Sequence, residues 1–196
     1  RAATAQRTYR PVSELVIRTL THWKGMIKNL SYLWMAVVIM LVQIFLLDEL
    51  SIAMWLRPMI FPLVVILLKM EWRTVWVLLV STLIGLIMDI ALGGSGLYTA
   101  TIVPLAIMRR WILYLTTKRS IESGDQTSVL SRLNRYQMMG YTVAMLAIHH
   151  TLFFLLESMS FAHPLHLVAT IVFSTLLSAA IAWPIIRIFT LKIVVK

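Results

Sequence analysis

One apolar stretch and the turn after it decide the fold: Leu83-Ile84-Gly85-Leu86-Ile87-Met88-Asp89-Ile90-Ala91-Leu92, then Gly93-Gly94-Ser95-Gly96. Apolar side chains extend back to Val75, and a run of that length suits a helix that crosses a membrane. A carboxylate inside such a run is costly in hydrocarbon, so it faces protein or water and usually has a task. The three glycines permit a sharp turn. The stretch therefore predicts a membrane helix, a hairpin and a task for Asp89.

The composition places the whole chain in the membrane class. Its 196 residues are 60% hydrophobic and 13% charged, with a mean hydropathy of +0.85, whereas a soluble domain is nearer half apolar and about one quarter charged. The chain has no cysteine, which excludes disulfides, thiol chemistry and thiolate metal sites. Its net charge of +10 lies in segments that flank apolar runs, which indicates topology and contact with anionic lipids rather than nucleic-acid binding.

Six apolar runs are long enough, or nearly so, to cross a bilayer. They are Leu30–Leu47, Ile52–Leu68, Val75–Leu92, Leu97–Leu115, Tyr136–Ser158 and Leu167–Phe189. The second run is short and carries Pro58 and Pro62, which predicts a broken, tilted or re-entrant segment covered by its neighbours. Nearly all of the 18 basic residues stand at alternate ends of the runs, Arg57 being the exception. The positive-inside rule therefore predicts an all-α integral membrane protein with six transmembrane helices and both termini cytoplasmic.

These runs divide the chain into three parts: a basic amphipathic N-terminal segment, residues 1–29, a transmembrane domain, residues 30–190, and a cytoplasmic tail, residues 191–196. In the first part, apolar residues from Val12 to Leu30 recur at three- and four-residue spacing, which is typical of a helix that lies on the cytoplasmic leaflet. Such a helix serves as a topogenic anchor or as a docking site for a cytoplasmic partner, and both interpretations stay open.

The fifth run holds the largest set of polar candidates: Tyr141, His149, His150 and Glu157. His150 and Glu157 share a helix face but lie about 10 Å apart along the axis, too far to bind one metal ion. Neither a metal-binding spacing nor a nucleophile motif is present, so we expect no enzyme, no cofactor and no metal site. Hydrogen bonds between helices are the favoured interpretation. A proton relay for coupled transport is an alternative, although no deep acidic residue completes a path.

Small and polar residues at four-residue spacing predict close helix packing in lipid. We expect these positions to pack the bundle internally, with a docking face for a partner as the alternative. One set lies in the third run, a second lies in the sixth run, and a glutamine in the first run fits the same interpretation: Ser81, Gly85 and Asp89; Ser174, Ser178 and Ala182; and Gln43.

Several motifs resemble one family, the rod shape-determining protein MreD. Gly85-Leu86-Ile87-Met88-Asp89 followed by Gly94-Ser95-Gly96-Leu97 is similar to a signature of that family. Gln43, Arg57-Pro58 and Pro62 also resemble it in their order. Tyr141 followed by Ile148-His149-His150-Thr151-Leu152-Phe153-Phe154-Leu155-Leu156-Glu157 is similar to the fifth span of members from Bacteroidetes-type bacteria. The resemblance extends from about Leu30 to Phe189, whereas the basic N-terminal segment departs from the short start usual in the family.

The resemblance implies a non-enzymatic scaffold in the bacterial inner membrane that helps to maintain rod shape and to regulate peptidoglycan synthesis during cell-wall elongation. Its implied direct partner is MreC, with the MreB filament, RodA and a class B penicillin-binding protein in the same complex. It also implies a bundle similar to the substrate-binding subunits of energy-coupling-factor transporters. The alternative function is therefore a transporter subunit that binds a vitamin or a lipid-linked precursor in an outward cavity. Under either function, the candidates for an outer pocket or docking site are Asp89, Gly93, Gly94, Gly96, Tyr141, His149, His150 and Glu157.

Overall fold

The computed structural model describes residues 32–47, 56–70, 72–118, 133–158 and 164–189. The regular elements in these ranges are helices: α1 Tyr32–Leu47, α2 Pro62–Leu67, α3 Thr74–Leu92, α4 Leu97–Thr117, α5 Arg135–Ser158 and α6 Pro164–Phe189. The last turn of α1, Gln43–Leu47, is π-helical. Each helix other than α2 begins and ends within a few residues of the bounds of a predicted apolar run. The amphipathic segment, residues 1–29, and the tail, residues 191–196, lie outside the described residues.

Three of the described helices are long and apolar enough to cross a membrane: α3, α5 and α6, the last over Pro164–Ile188. α1 is apolar but shorter. Large apolar side chains on these helices are exposed, as Leu83 of α3 and Leu176 of α6 show. A soluble monomer rarely exposes so much apolar surface. The described part of the protein is all-α, and its long apolar helices are compatible with a membrane protein.

α3 and α4 form a tight antiparallel hairpin. They approach most closely at Gly85, where an added Cβ would lie 2.6 Å from the Cα of Thr99 and 3.0 Å from Cγ2 of Ile102. Any larger residue at this position would force the two helices apart, since the atom in the way belongs to the backbone of α4. α5 packs on α4, and α6 packs on α5.

The middle of the bundle is occupied by the chain itself. Residues 57–61 are not helical, and α2 follows over Pro62–Leu67. We call residues 57–68 the central segment. Every residue of α2 is buried, as expected of a helix that is apolar on all sides, and Pro62 occupies the first turn, where its missing N–H costs nothing. The second run, predicted over Ile52–Leu68, is therefore broken in its described part, where residues 57–61 are not helical and the helix begins at Pro62.

Candidate functional site

Gln43 connects α1 to the non-helical part of the central segment. Its Nε2 donates a hydrogen bond to the Pro58 carbonyl at 3.3 Å, and its Oε1 accepts one from the Ile60 N–H at 2.7 Å. The side chain is buried. Backbone that leaves the helical conformation inside an apolar bundle needs such partners, because no water is there to supply them. Gln43, a predicted packing residue, thus supplies hydrogen bonds to backbone groups.

Two serines of α6 bind the same segment from the other side. Ser178 Oγ accepts a hydrogen bond from the Met59 N–H at 2.8 Å, and Ser174 Oγ accepts one from the Arg57 N–H at 3.4 Å. Both serines and Ala182 are fully buried, and their four-residue spacing places them on one face of α6. At the two serines, this face of α6 packs against the backbone of the central segment.

His150 links α5 to α6 at the same place. Its Nδ1 lies 2.8 Å from the Leu146 carbonyl, and its Nε2 lies 3.3 Å from Ser178 Oγ. A carbonyl only accepts, so Nδ1 carries the hydrogen, and in the neutral ring Nε2 accepts from the serine hydroxyl. Ser178 can accept from Met59 and donate to His150 at once. The serine thereby joins α5, α6 and the central segment.

His149 faces an aromatic cluster instead. Its ring centroid lies 5.0 Å from that of Phe61, nearly perpendicular at 84°, and 6.3 Å from that of Phe153. Neither ring nitrogen has a hydrogen-bond partner among the described residues, and the same holds for the Tyr141 hydroxyl. Both side chains are fully buried. Buried polar atoms without partners are costly, so these two residues differ from His150, whose nitrogens are both engaged.

The two histidines do not form a metal centre in the part of the chain that the structure describes. No three His, Asp or Glu side chains there come close enough together to hold an ion. The rings of His149 and His150 are neighbours, with centroids 5.9 Å apart, but they face different partners. Their divergence follows from the 100° step between successive residues on a helix.

Glu157 pairs with the arginine that enters the central segment. Arg57 Nη1 lies 2.6 Å from Glu157 Oε1, and the side chains are 47% and 37% exposed. An ion pair with that much exposure contributes at most about 1 kcal/mol of stability. The position of the ion pair matters more than its strength, because both charges are accessible at one end of the bundle. The pairing also accounts for Arg57, the basic residue that departs from the alternating charge pattern.

Asp89 binds the first turn of α4. Its Oδ1 accepts a hydrogen bond from the Tyr98 N–H at 2.9 Å, and its Oδ2 accepts from the Thr99 N–H at 3.0 Å and the Thr99 hydroxyl at 2.6 Å. The first N–H groups of a helix have no partner within the helix, and its dipole favours negative charge there. The carboxylate is largely buried, with the residue 8% exposed. Asp89 therefore joins the C-terminal end of α3 to the N-terminal end of α4.

The glycines of the turn make this arrangement possible. Gly93 and Gly96 have φ angles of 68° and 93°, in the left-handed region where residues with a Cβ are strained. Gly94 is needed for another reason: an added Cβ would lie 2.7 Å from Asp89 Oδ1 and would clash with the Tyr98 ring. The turn therefore leaves space for the carboxylate to reach α4.

We expect Asp89→Leu to lower the free energy of unfolding by about 3 kcal/mol, because three donors in a largely buried place lose their acceptor. Asp89→Asn keeps one oxygen and should lose roughly half as much. Thermal unfolding of the purified protein in mild detergent measures both. Thr82→Val is the matched control, since in the described structure its exposed hydroxyl bonds only to the Leu78 carbonyl of its own helix. Equal melting temperatures for Asp89→Leu and Thr82→Val would show that the carboxylate does not hold the hairpin.

Arg109 is the main residue of the site that the sequence pattern missed. It is 2% exposed, and its guanidinium donates to the carbonyls of Val65 and Leu68, each at 3.2 Å, and to that of Lys69 at 2.6 Å. These carbonyls lie at the C-terminal end of α2, where helix carbonyls lack partners within the helix and the dipole favours a cation. The charge pattern counted Arg109 among the basic residues around the cytoplasmic loop that follows the fourth run. Its position inside the apolar run Leu97–Leu115 was the signal for burial.

The structure thus separates the predicted residues into groups. Gln43, His150, Ser174 and Ser178 meet around the central segment, and Glu157 meets Arg57 at its entry. Asp89, Gly93, Gly94 and Gly96 form the α3–α4 turn. The remaining small residues, Ser81 and Gly85, are buried on the inner side of α3. No protein-family model, no curated protein and no solved structure matches this chain.

Proposed function

We propose that this protein is a non-enzymatic scaffold of the bacterial cell-wall elongation machinery, similar to MreD, and that it binds MreC. One observation carries the proposal: residues that carry the resemblance lie together around the central segment. Gln43 binds Pro58, and Arg57 pairs with Glu157 across 100 residues of sequence. His150 binds the serine that holds Met59. Motifs that are distant in sequence thus act as one structural unit, which supports treating them as a single signature.

The proposed topology has six spans, with the central segment in the broken second span and both termini in the cytoplasm. Exposed tryptophans and tyrosines support it, because these residues favour the membrane–water interface. All of them in the described ranges lie toward the helix ends that the basic residues flank: Trp34, Trp76, Trp111, Tyr114 and Tyr136. Lys69, whose ammonium lies 5.2 Å from the centroid of the Tyr32 ring, belongs to the same end. Asp89 and Glu157 lie near the C-terminal ends of α3 and α5, and thus away from the ends of these helices that carry the exposed aromatic residues.

A filled centre favours action through the surface over ligand binding inside the bundle. Ile60, Phe61, Leu63 and Ile66 are completely buried in the middle of the helices. A substrate-binding subunit of a transporter holds its ligand within the bundle, where this chain places its own central segment. The alternative function, binding of a vitamin or a lipid-linked precursor in an outward cavity, therefore has less support than the scaffold.

In this proposal MreC meets the outer end of the bundle, near the ion pair of Arg57 and Glu157 and the α3–α4 turn. Exposed charges of opposite sign are suited to setting the orientation and specificity of a partner. The MreB filament, RodA and a class B penicillin-binding protein would belong to the same complex in the inner membrane, while the basic cytoplasmic end contacts anionic lipids.

Co-purification tests the proposal. We expect MreC to be recovered with the tagged protein in mild detergent when both are overproduced, as identified by mass spectrometry. Arg57→Ala combined with Glu157→Ala should reduce the recovery about tenfold, the effect of removing a residue important for binding. Arg187→Ala is the matched control, because Arg187 is exposed at the other end of the bundle. Purification of the wild-type protein without MreC, under conditions in which it is folded, would refute the proposed function.

A further inference from the structure

We propose that a patch of arginine and tryptophan side chains at the start of α3 and in the second half of α4 binds the phosphate headgroup of one anionic phospholipid. The patch consists of Arg73, Trp76, Arg110 and Trp111, all exposed. The inference goes beyond the scaffold function, because it needs no protein partner and concerns the end of the bundle opposite to Asp89 and Glu157. It assigns a defined place to the general attraction between basic residues and anionic lipids.

Arg110 is held in place by backbone groups. Its Nη2 donates to the Met70 carbonyl at 3.1 Å and to the Trp72 carbonyl at 2.9 Å. A guanidinium has five N–H donors in a rigid planar arrangement. In the described structure, only one nitrogen of the Arg110 guanidinium, Nη2, donates hydrogen bonds. The remaining donors suit the oxygens of a phosphate, which arginine binds with two parallel hydrogen bonds. Because the backbone already orients the side chain, less conformational freedom is lost when the phosphate binds.

Arg73 adds a second charge to the patch. It follows Trp72, whose carbonyl binds Arg110, and its own carbonyl accepts from the Trp76 N–H at 3.0 Å. In the described ranges, no ion pair or side-chain hydrogen bond involves its guanidinium. The acidic residues that the structure describes, Asp89 and Glu157, are engaged at the other end. Among the described residues, the patch is therefore basic and complementary to a phosphate.

The surroundings of the patch favour a lipid over free phosphate. Trp76 and Trp111 are 61% and 56% exposed, and tryptophan prefers the depth at which headgroups meet acyl chains. Toward the middle of the same helices, Leu79 and Ile107 are exposed as well, so apolar surface continues from the arginines along the bundle. A phospholipid places its phosphate and its chains in this order. Inorganic phosphate would leave the apolar part unused.

Native mass spectrometry of the full chain in detergent tests the site with phosphatidylglycerol, phosphatidylcholine and inorganic phosphate as probes. We expect one phosphatidylglycerol to remain bound under conditions that remove phosphatidylcholine. Arg73→Gln and Arg110→Gln should each weaken the retention of phosphatidylglycerol about fivefold. Arg187→Gln is the matched control, since this exposed arginine lies on α6 and outside the patch, and it should leave retention unchanged.

Arg73→Gln keeps the test valid if Arg110→Gln disturbs the fold, because the described structure shows no bond of the Arg73 side chain. Several results would overturn the inference. Equal retention of the two lipids would remove the charge preference, and retention in Arg73→Gln equal to the wild type would place the lipid elsewhere. An equal loss in Arg187→Gln would indicate attraction by the whole basic end. Displacement of the lipid by an equimolar amount of inorganic phosphate would indicate a site for a free anion.

Discussion

Arg109→Leu is expected to lower the free energy of unfolding by about 4 kcal/mol, the largest effect of any substitution considered for this protein. The substitution removes the donor for the carbonyls of Val65, Leu68 and Lys69. The first two carbonyls belong to buried residues, and each buried acceptor without a partner costs roughly 1–3 kcal/mol. The melting temperature in mild detergent should fall by about 10 °C.

One further variant separates the geometry of Arg109 from its charge, and a second is the control. Arg109→Lys keeps a cation but loses the planar arrangement of donors, so it should fall between the wild type and Arg109→Leu. Arg187→Leu removes an exposed arginine of α6 and should change the melting temperature little. If Arg109→Leu melts at the temperature of Arg187→Leu, the guanidinium does not stabilise the end of α2.

Gln43→Leu is expected to cost about 3 kcal/mol, because two backbone groups of the central segment lose their partner together. The Ile60 N–H and the Pro58 carbonyl both bind this one side chain. Gln43→Glu keeps an acceptor for the Ile60 N–H, and its protonated carboxyl can still donate to the Pro58 carbonyl, so its effect should be smaller than that of Gln43→Leu at acidic pH, where the buried side chain is neutral. Hydrogen exchange of the Ile60 amide, followed alongside thermal unfolding, measures the local release. Unchanged protection of that amide in Gln43→Leu would contradict the assigned role.

The second side of the segment provides a stricter test of the same prediction. Ser178→Ala removes the acceptor for the Met59 N–H, next to the Ile60 N–H that Gln43 binds. Because both side chains hold neighbouring backbone groups, we expect the combined variant to cost less than the sum of the single ones. Thr151→Val is the matched control, since among the described residues its hydroxyl bonds only to the Ala147 carbonyl within α5. Its effect should add to that of Gln43→Leu without coupling.

The helices could be predicted because their signal is local. A long apolar run predicts a helix whatever the rest of the chain does. α3 therefore begins one residue from the predicted start at Val75 and ends, as predicted, at Leu92. Pro58 and Pro62 also predicted that the second run would be broken, since proline removes a backbone donor and restricts the residue before it. What holds the broken run could not be predicted. The hydrogen bond between Met59 and Ser178 joins residues 119 apart in sequence, and no local pattern specifies such a contact.

The charged residues show the same limit. Counting basic residues at alternate ends treats each of them as exposed, yet Arg109 is buried and binds the end of a helix. The sequence predicted a task for Asp89 because the carboxylate stands in an apolar run. Its partners belong to α4, 9 and 10 residues further along the chain, so they depend on how the glycine turn folds. A charge inside an apolar run thus identifies an important residue, while its partners emerge only from the packed bundle.

The way the central segment is held has a consequence for biogenesis. Its backbone is bound by Gln43 of α1 and by Ser174 and Ser178 of α6, and α6 is synthesised after the other described helices. The amides of Arg57 and Met59 therefore have no partner from α6 during most of translation. The hydrogen bonds between the central segment and α6 therefore form late, after α6 has been synthesised. A chain released before α6 is synthesised would lack the two serine acceptors for the amides of Arg57 and Met59.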